Sequence, residues 1–239
     1  MGAPGSVTAL VMAAGEGRRF GGPTPKQFLP LGGLPLLAYS LRALAVPGLV
    51  DSLVVAVPPG GEGRCLAEVV VPLALPIPVE LVPGGPERQA SVRAALARVE
   101  GPTDLVLIHD GVRPFVPRGD LAAVIAAARK HGAALLAVPV RDTLKRAGGD
   151  GRPWLVEETV SREALWAALT PQAFRRDLIA RAHEAAEAAG ATATDDAVLV
   201  ERLGHPVALV PGSPTNIKIT GPEDLALAKA LLGCVAGGG

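Results

Sequence analysis

Short β-branched apolar runs alternate along the chain with Ala/Leu-rich stretches whose apolar positions recur three and four apart. That is the pattern of strands and helices wound into a mostly parallel sheet. It predicts strands over residues 7–12, 52–57, 79–82, 104–109, 133–138, 207–210 and 216–219, and helices over 36–44, 87–99, 121–130, 175–189 and 222–232. The expected fold is α/β: a Rossmann-like three-layer α/β/α architecture around a mostly parallel twisted sheet, one domain over residues 1–239.

One segment breaks the alternation. Residues 141–162 carry the turn cluster Gly148-Gly149-Asp150-Gly151, flanked by stretches rich in Thr, Val, Trp and Leu. This predicts a β-hairpin arm inserted into the wound core. A two-stranded ribbon is marginal in water, so Trp154 and Leu155 must pack on something, either their own domain or a second copy.

Composition narrows the function classes. A 49% hydrophobic fraction over 239 residues supports a sizeable core. The 23 basic and 23 acidic residues balance, so nothing global draws the chain to nucleic acid or to a membrane surface, and a polyanion must meet a local cluster. Cys65 and Cys234 form no paired motif, which points to a reducing, cytoplasmic compartment. The most apolar region, residues 66–82, contains Glu68 and Glu80 and is punctuated by Pro72, Pro76 and Pro78, so it is not a membrane span.

In open parallel sheets ligands collect where strands end, so the loops leaving the strands are where chemistry is expected. The first strand runs into Ala13-Ala14-Gly15-Glu16-Gly17-Arg18-Arg19, followed by Pro25-Lys26. Glycines allow backbone N–H groups to face an anion, and Arg19 and Lys26 add positive charge to the same cavity, which suits a triphosphate. Gly15-x-Gly17 resembles the opening of a dinucleotide fingerprint, but Phe20 replaces its third glycine and no acid follows Val57-Pro58-Pro59. The GxxxxGK[ST] phosphate loop is absent as well.

The third predicted strand leads into Gly84-Gly85-Pro86-Glu87-Arg88-Gln89-Ala90-Ser91. Gly85 is expected as helix N-cap with Pro86 at the first helical position, so that the helix N-terminus faces the ligand. Arg88 and Ser91 then share a face, one to read a phosphate and the other a base edge, unless both merely cap or pair. The fourth strand ends in His109-Asp110-Gly111-Val112-Arg113, which offers Asp110 to a magnesium ion and phosphate, since Mg2+ prefers hard oxygen ligands. His109 reads as a hydrogen-bonded structural residue. Thr194-Asp195-Asp196 is expected to cap a helix, and Lys218 is a lone cation among β-branched residues.

Taken together these motifs are recognisable: Ala-Ala-Gly-x-Gly-x-Arg with Pro-Lys-Gln, Gly-Gly-x-x-Arg-x-x-Ser-Val, His-Asp-x-x-Arg-Pro, Pro-Val-x-Asp-Thr-x-Lys, Leu-Trp-x-x-x-Thr-Pro-Gln-x-Phe and Asn-Ile-Lys-Ile-Thr. The chain resembles the 2-C-methyl-D-erythritol 4-phosphate cytidylyltransferases of the non-mevalonate isoprenoid pathway. The resemblance implies that the substrate's 4-phosphate attacks the α-phosphorus of CTP and releases pyrophosphate, with magnesium required and no covalent enzyme intermediate. It implies catalytic roles for Arg19, Lys26, Arg162 and Lys218, and CTP binding by Ala13, Ala14, Gly15, Gly17, Gly85, Arg88, Ser91 and Gly111. Binding of methylerythritol phosphate is implied for Asp110, Arg113, Thr143, Arg162, Thr194 and Lys218, with Asp110 also near the metal. The arm is implied to reach into the neighbouring subunit's site in a homodimer. Pro86, Ala90, Gly111 and Val112 depart from the family pattern, and Pro86 offers neither an N–H nor a polar side chain where relatives often have a polar residue. Ribitol-5-phosphate cytidylyltransferase is the nearest rival reading, against which Leu165-Trp166 after Arg162 weighs. A silent nucleotide-binding module is another, against which the set Arg19, Lys26, Asp110 and Lys218 weighs.

Overall fold

A computed structural model describes residues 5–15, 20, 24–99, 101, 103–148 and 153–236 of the protein. The expectations for Gly17, Arg19 and the arm's turn at Gly149-Asp150-Gly151 lie outside the described residues. The chain opens with β1 (Ser6–Met12), a small hairpin of β2 (Pro30–Leu31) and β3 (Leu34–Pro35), α1 (Leu36–Leu44) and β4 (Ser52–Val57). Two short helices, α2 (Glu62–Cys65) and α3 (Val71–Leu73), lead to β5 (Val79–Pro83), α4 (Arg88–Leu96), β6 (Thr103–Asp110), α5 (Arg118–His131) and β7 (Ala133–Pro139). The arm strands β8 (Leu144–Gly148) and β9 (Leu155–Val160) precede β10 (Trp166–Arg175), α6 (Arg176–Ala188), α7 (Asp196–Arg202), β11 (Ala208–Pro211) and α8 (Pro222–Ala236).

Seven strands form one sheet in the order β11-β7-β10-β6-β1-β4-β5, parallel throughout except for β10, which runs antiparallel to both neighbours. Both faces of the inner strands are covered, so their residues alternate between two cores rather than between core and solvent, whereas the edge strand β11 exposes Leu209. In β1, Val7, Ala9 and Val11 face α1 and α5, whereas Leu10 and Met12 face α4, α6 and α7. A third cluster joins Leu31, Leu36, Val112, Ile219 and Ala228, and seats α8 beside the carboxyl ends of the strands. No described helix is long and apolar enough to cross a membrane.

The structure corrects several expectations. Residues 216–219 form no strand: Ile219 is buried and its N–H donates to the Val112 carbonyl, but the segment pairs with no ladder. Residues 166–175 form the central strand β10, which the apolar pattern hides because Pro171 sits inside it and proline removes a ladder donor. Proline is tolerated because the register shifts between Ala168 and Gln172, which leaves that stretch outside the ladder. The helical stretch from Glu62 to Leu73 has no counterpart among the expected elements. It widens at Leu66–Val70 just ahead of Pro72, so the proline falls in a fresh first turn. Helix α4 begins at Arg88 with Glu87 as its N-cap, not at Pro86 with Gly85. The Ser91 hydroxyl accepts the Gly85 N–H (3.1 Å) and shapes residues 84–87 as a loop ahead of the helix.

Where the ladder lapses beside β6, a side chain takes over. Thr170 Oγ1 accepts the Asp110 N–H (3.1 Å) and lies 2.9 Å from His109 Nδ1. His109 Nε2 lies 3.1 Å from the Arg113 carbonyl, which can only accept. Nε2 therefore carries the proton, and Nδ1 accepts from Thr170. Burial pushes the imidazole down to about 4, with the Arg113 charge adding to it and the Asp110 charge opposing it. The neutral ring is thus built into the native state, whereas the unfolded chain binds a proton near the ordinary value of about 6.5. Stability is expected to be full above that value and to fall by about 2–3 kcal/mol between pH 6.5 and 4.5. Urea unfolding across this range should show that loss, and His109→Gln should remove most of it. Equal pH slopes in both proteins would contradict the neutral, buried histidine.

Candidate functional site

Three strand ends converge because their loops are tied together. Ala13 N–H donates to the Ala56 carbonyl (2.8 Å), and Gly111 N–H donates to the Met12 carbonyl (2.9 Å). The loops after β1 and β5 touch at Gly84, where a Cβ would lie 2.3 Å from Ala14 Cβ and 2.9 Å from Ser91 Oγ. Only glycine permits that approach. At Gly15 a Cβ would meet nothing within 4 Å. Glycine there serves no packing need of the described residues and leaves open space at the mouth of the cavity.

Two cavities adjoin at these loops. The first, about 170 Å³, lies between the Ala13–Gly15 backbone, Lys26, Gln27, Gly85 and Ser91. The second, about 270 Å³, lies against Arg113, Thr170, Gln172 and Thr194. Arg88, Asp110 and Lys218 line both. A larger cavity of about 690 Å³ opens at the amino ends of the strands, beside Gly5, Thr103 and Arg129. Two of its arginines, Arg129 and Arg176, are spent on backbone carbonyls, and the carboxyl ends are where parallel sheets place ligands.

Asp110 is the hub of the wall between the two smaller cavities. Its Oδ1 accepts from Arg88 Nε (3.2 Å), and its Oδ2 lies 2.8 Å from Lys218 Nζ and 3.5 Å from Arg113 Nε. Burial pushes this carboxyl up, but Arg88, Lys218 and Arg113 outweigh it and hold the group well below the usual carboxylate range. Arg88 Nη1 also donates to Asp196 Oδ2 (2.6 Å). Burial lowers the Arg88 guanidinium, yet Asp196 and Asp110 more than compensate, so its affinity for the proton is raised. Arg113 Nη1 donates to the Asn216 carbonyl (2.8 Å), and burial leaves its guanidinium below the ordinary value. Three cations meet two carboxylates in this cluster, with Lys26 and Glu87 further along the first cavity and Asp195 in the second.

Most of the expected site residues therefore gather here. Ala13, Ala14, Gly15, Lys26, Gly85, Arg88 and Ser91 line the first cavity, while Arg113 and Thr194 line the second. Gly111 lies behind the wall, packed on Leu37 and Met12. Thr143 and Arg162 line neither cavity: both are exposed, and the Arg162 guanidinium donates to the Arg141 carbonyl at the arm's base. Sequence reasoning missed the residues that set the hub. Asp196 anchors Arg88. Asn216, 1% exposed, donates to the Thr170 carbonyl (2.8 Å) and offers its own carbonyl to Arg113. Gln172 donates to Asp195 (2.9 Å), whose other oxygen caps α7 by accepting the Val198 N–H. The Thr194-Asp195-Asp196 run reads in sequence only as a cap, yet two adjacent acids at one cap signal a second task.

A resident metal fits this donor set poorly. The described residues hold no group of three or more His, Cys, Asp or Glu side chains able to bind an ion. Both oxygens of Asp110 already face cations. A magnesium ion here needs the oxygen atoms of a bound phosphate to complete its shell.

Comparisons with known proteins place the chain in a family. The family model described as 2-C-methyl-D-erythritol 4-phosphate cytidylyltransferase matches residues 7–234. An enzyme of that name from Pelotomaculum thermopropionicum is 50% identical over 226 residues, covering 95% of this chain and 94% of its own. A bifunctional enzyme IspD/IspF from Desulforudis audaxviator is 48% identical over 225 residues, and there the chain spans 56% of the relative's length. The crystal structure of 2-C-methyl-D-erythritol 4-phosphate cytidylyltransferase from Thermus thermophilus matches with a TM-score of 0.77 at 41% identity, covering 95% of this chain and 98% of that one. A match that begins in the first strand and runs into the last helix, at this identity to a whole relative, has one meaning: the chain belongs to the 2-C-methyl-D-erythritol 4-phosphate cytidylyltransferase family.

Proposed function

We propose that the protein joins CTP to 2-C-methyl-D-erythritol 4-phosphate, giving 4-diphosphocytidyl-2-C-methyl-D-erythritol and pyrophosphate. The observation that carries this reading is the shared wall: Arg88, Asp110 and Lys218 line both cavities, so two ligands would meet across one cationic seam. CTP takes the first cavity, with its triphosphate along Ala13–Gly15 and Lys26, and the polyol phosphate takes the second. A phosphate oxygen of the polyol substrate forms the new bond to the α-phosphorus as the bond to pyrophosphate breaks. Both reactants are anions, so the cations must offset their repulsion and the charge that gathers on the five-coordinate phosphorus. Lys26 acts from the nucleotide side, with the catalytic role of Arg19 carried by the family resemblance alone, and Lys218 and Arg113 act from the other. Magnesium would arrive with the triphosphate, whose oxygens suit a hard cation.

The same reading makes the chain one nucleotidyltransferase domain whose arm, residues 141–162, serves a second copy. The hairpin exposes Trp154, Leu155 and Val156, each more than 60% accessible, and holds Thr143 and Arg162 away from the cavities of its own chain. A homodimer with exchanged arms covers that apolar surface and completes each site with the partner's arm. A cytoplasmic setting fits too: Cys65 is buried and its thiol pushed up to about 11 by burial and the Glu68 charge, so it is protonated and inert.

Purified protein with CTP and magnesium should release pyrophosphate only when methylerythritol 4-phosphate is present, and a coupled phosphate assay reads this directly. Release without it, or none with it, contradicts the assignment. The arm has its own test. Lys26→Ala and Arg162→Ala should each lower turnover on the order of 10²–10³. Unfolded and refolded together in equal amounts, they should recover about a quarter of wild-type activity, because half of the dimers are mixed and each of these holds one intact site. No recovery on mixing means that the arm serves its own chain.

A further inference from the structure

Beyond the hub lies a buried residue that the proposed reaction does not use. His183, on α6, is 2% exposed, and its Nε2 lies 3.1 Å from Asp196 Oδ1. Its Nδ1 is buried without a partner. A carboxylate can only accept, so Nε2 donates to Asp196. Arg93 and Glu187 pair between α4 and α6.

The contact continues inward as an unbroken series. His183 Nε2 holds Asp196 Oδ1, Asp196 Oδ2 holds Arg88 Nη1 (2.6 Å), Arg88 Nε holds Asp110 Oδ1 (3.2 Å), and Asp110 Oδ2 holds Lys218 Nζ (2.8 Å). Each carboxylate gives one oxygen to each neighbour, so the guanidinium is shared between two anchors rather than gripped by one. A forked guanidinium can take both oxygens of one carboxylate side by side, and such a pair is stronger than two separate contacts. With Oδ1 held by His183, the Asp196 carboxylate is oriented to present Oδ2 to Arg88 Nη1. Without that donor, Asp196 Oδ1 is left buried and unpaired, and the nearest remedy is to turn toward Arg88 and draw it away from Asp110.

From this geometry we infer that His183 is a positioning residue for the nucleotide site: by donating to Asp196 it keeps Arg88 divided between Asp196 and Asp110, in the pose that faces bound CTP. The inference rests on the CTP reading of the first cavity. It separates a hydrogen-bonding role from mere space filling, because the two rank substitutions differently. Gln places an amide donor near the position of His Nε2, Asn places one near Nδ1, and Leu fills the volume with no donor at all.

The test measures CTP affinity by calorimetry with magnesium present and no second substrate, together with the urea midpoint of each variant. His183→Gln is expected to bind CTP within about threefold of wild type, whereas His183→Leu and His183→Asn bind about tenfold more weakly, a difference of about 1.4 kcal/mol. In steady-state assays the same two variants should raise the KM for CTP more than they lower kcat. If His183→Leu is folded and binds CTP as wild type does, the inference is wrong. It is equally wrong if the affinities follow the urea midpoints rather than the presence of the Nε2 donor. If wild-type protein itself fails to bind CTP, the functional reading fails instead, and the two failures are distinguishable.

Discussion

A carboxylate withdrawn from water among three cations is the constraint on which the rest of the site depends. Burying Asp110 alone would be costly, and burying Arg88 and Arg113 without it would be worse. Together they compensate one another: Asp110 stays ionised well below the usual range, and Lys218, the most accessible of its partners, is held at the seam between two cavities. A site whose cations are already held in place need not reorganise when two anions enter, and electrostatic stabilisation of a transition state has this character.

The fold serves this cluster through backbone ties rather than through any single element. Asp110 ends β6, Arg88 begins α4, Asp196 begins α7, and Lys218 lies in the irregular segment before α8, so four separated parts of the chain must meet. Gly84 lets the β1 and β5 loops touch, and the Thr170 hydroxyl secures Asp110 and His109 where Pro171 interrupts the ladder. Asn216 then links the Thr170 carbonyl to Arg113. Core packing on both faces of the sheet fixes the strand ends, and these polar ties convert that rigidity into side-chain positions.

What the sequence reveals, and what it hides, follows from the range of the forces involved. Strands β1, β4, β6 and β7 are legible because residues buried on both faces leave unbroken apolar runs, β5 and β11 because they are short β-branched runs, and α1 is legible from its spacing. Strand β10 is not, because its central place depends on neighbours far away in sequence, and its proline argues locally against a strand. Residues 216–219 mislead in the opposite way. Ile217 and Ile219 alternate like a strand, but they pack into the cluster under α8 instead of a ladder. At the site, glycine-rich loops and cations announce themselves in sequence. The partners that hold those cations do not: nothing local marks Asp196 as Arg88's anchor 108 residues away.

The most direct measurement of this account is turnover and CTP binding by Asp110→Asn, which keeps the shape of the side chain but removes its charge and one of its two acceptor oxygens. If the carboxylate organises the cations at the seam, turnover should fall by at least about 100-fold while the protein remains folded. Turnover within threefold of wild type would show that Arg88, Arg113 and Lys218 hold their places without it, and would contradict the account.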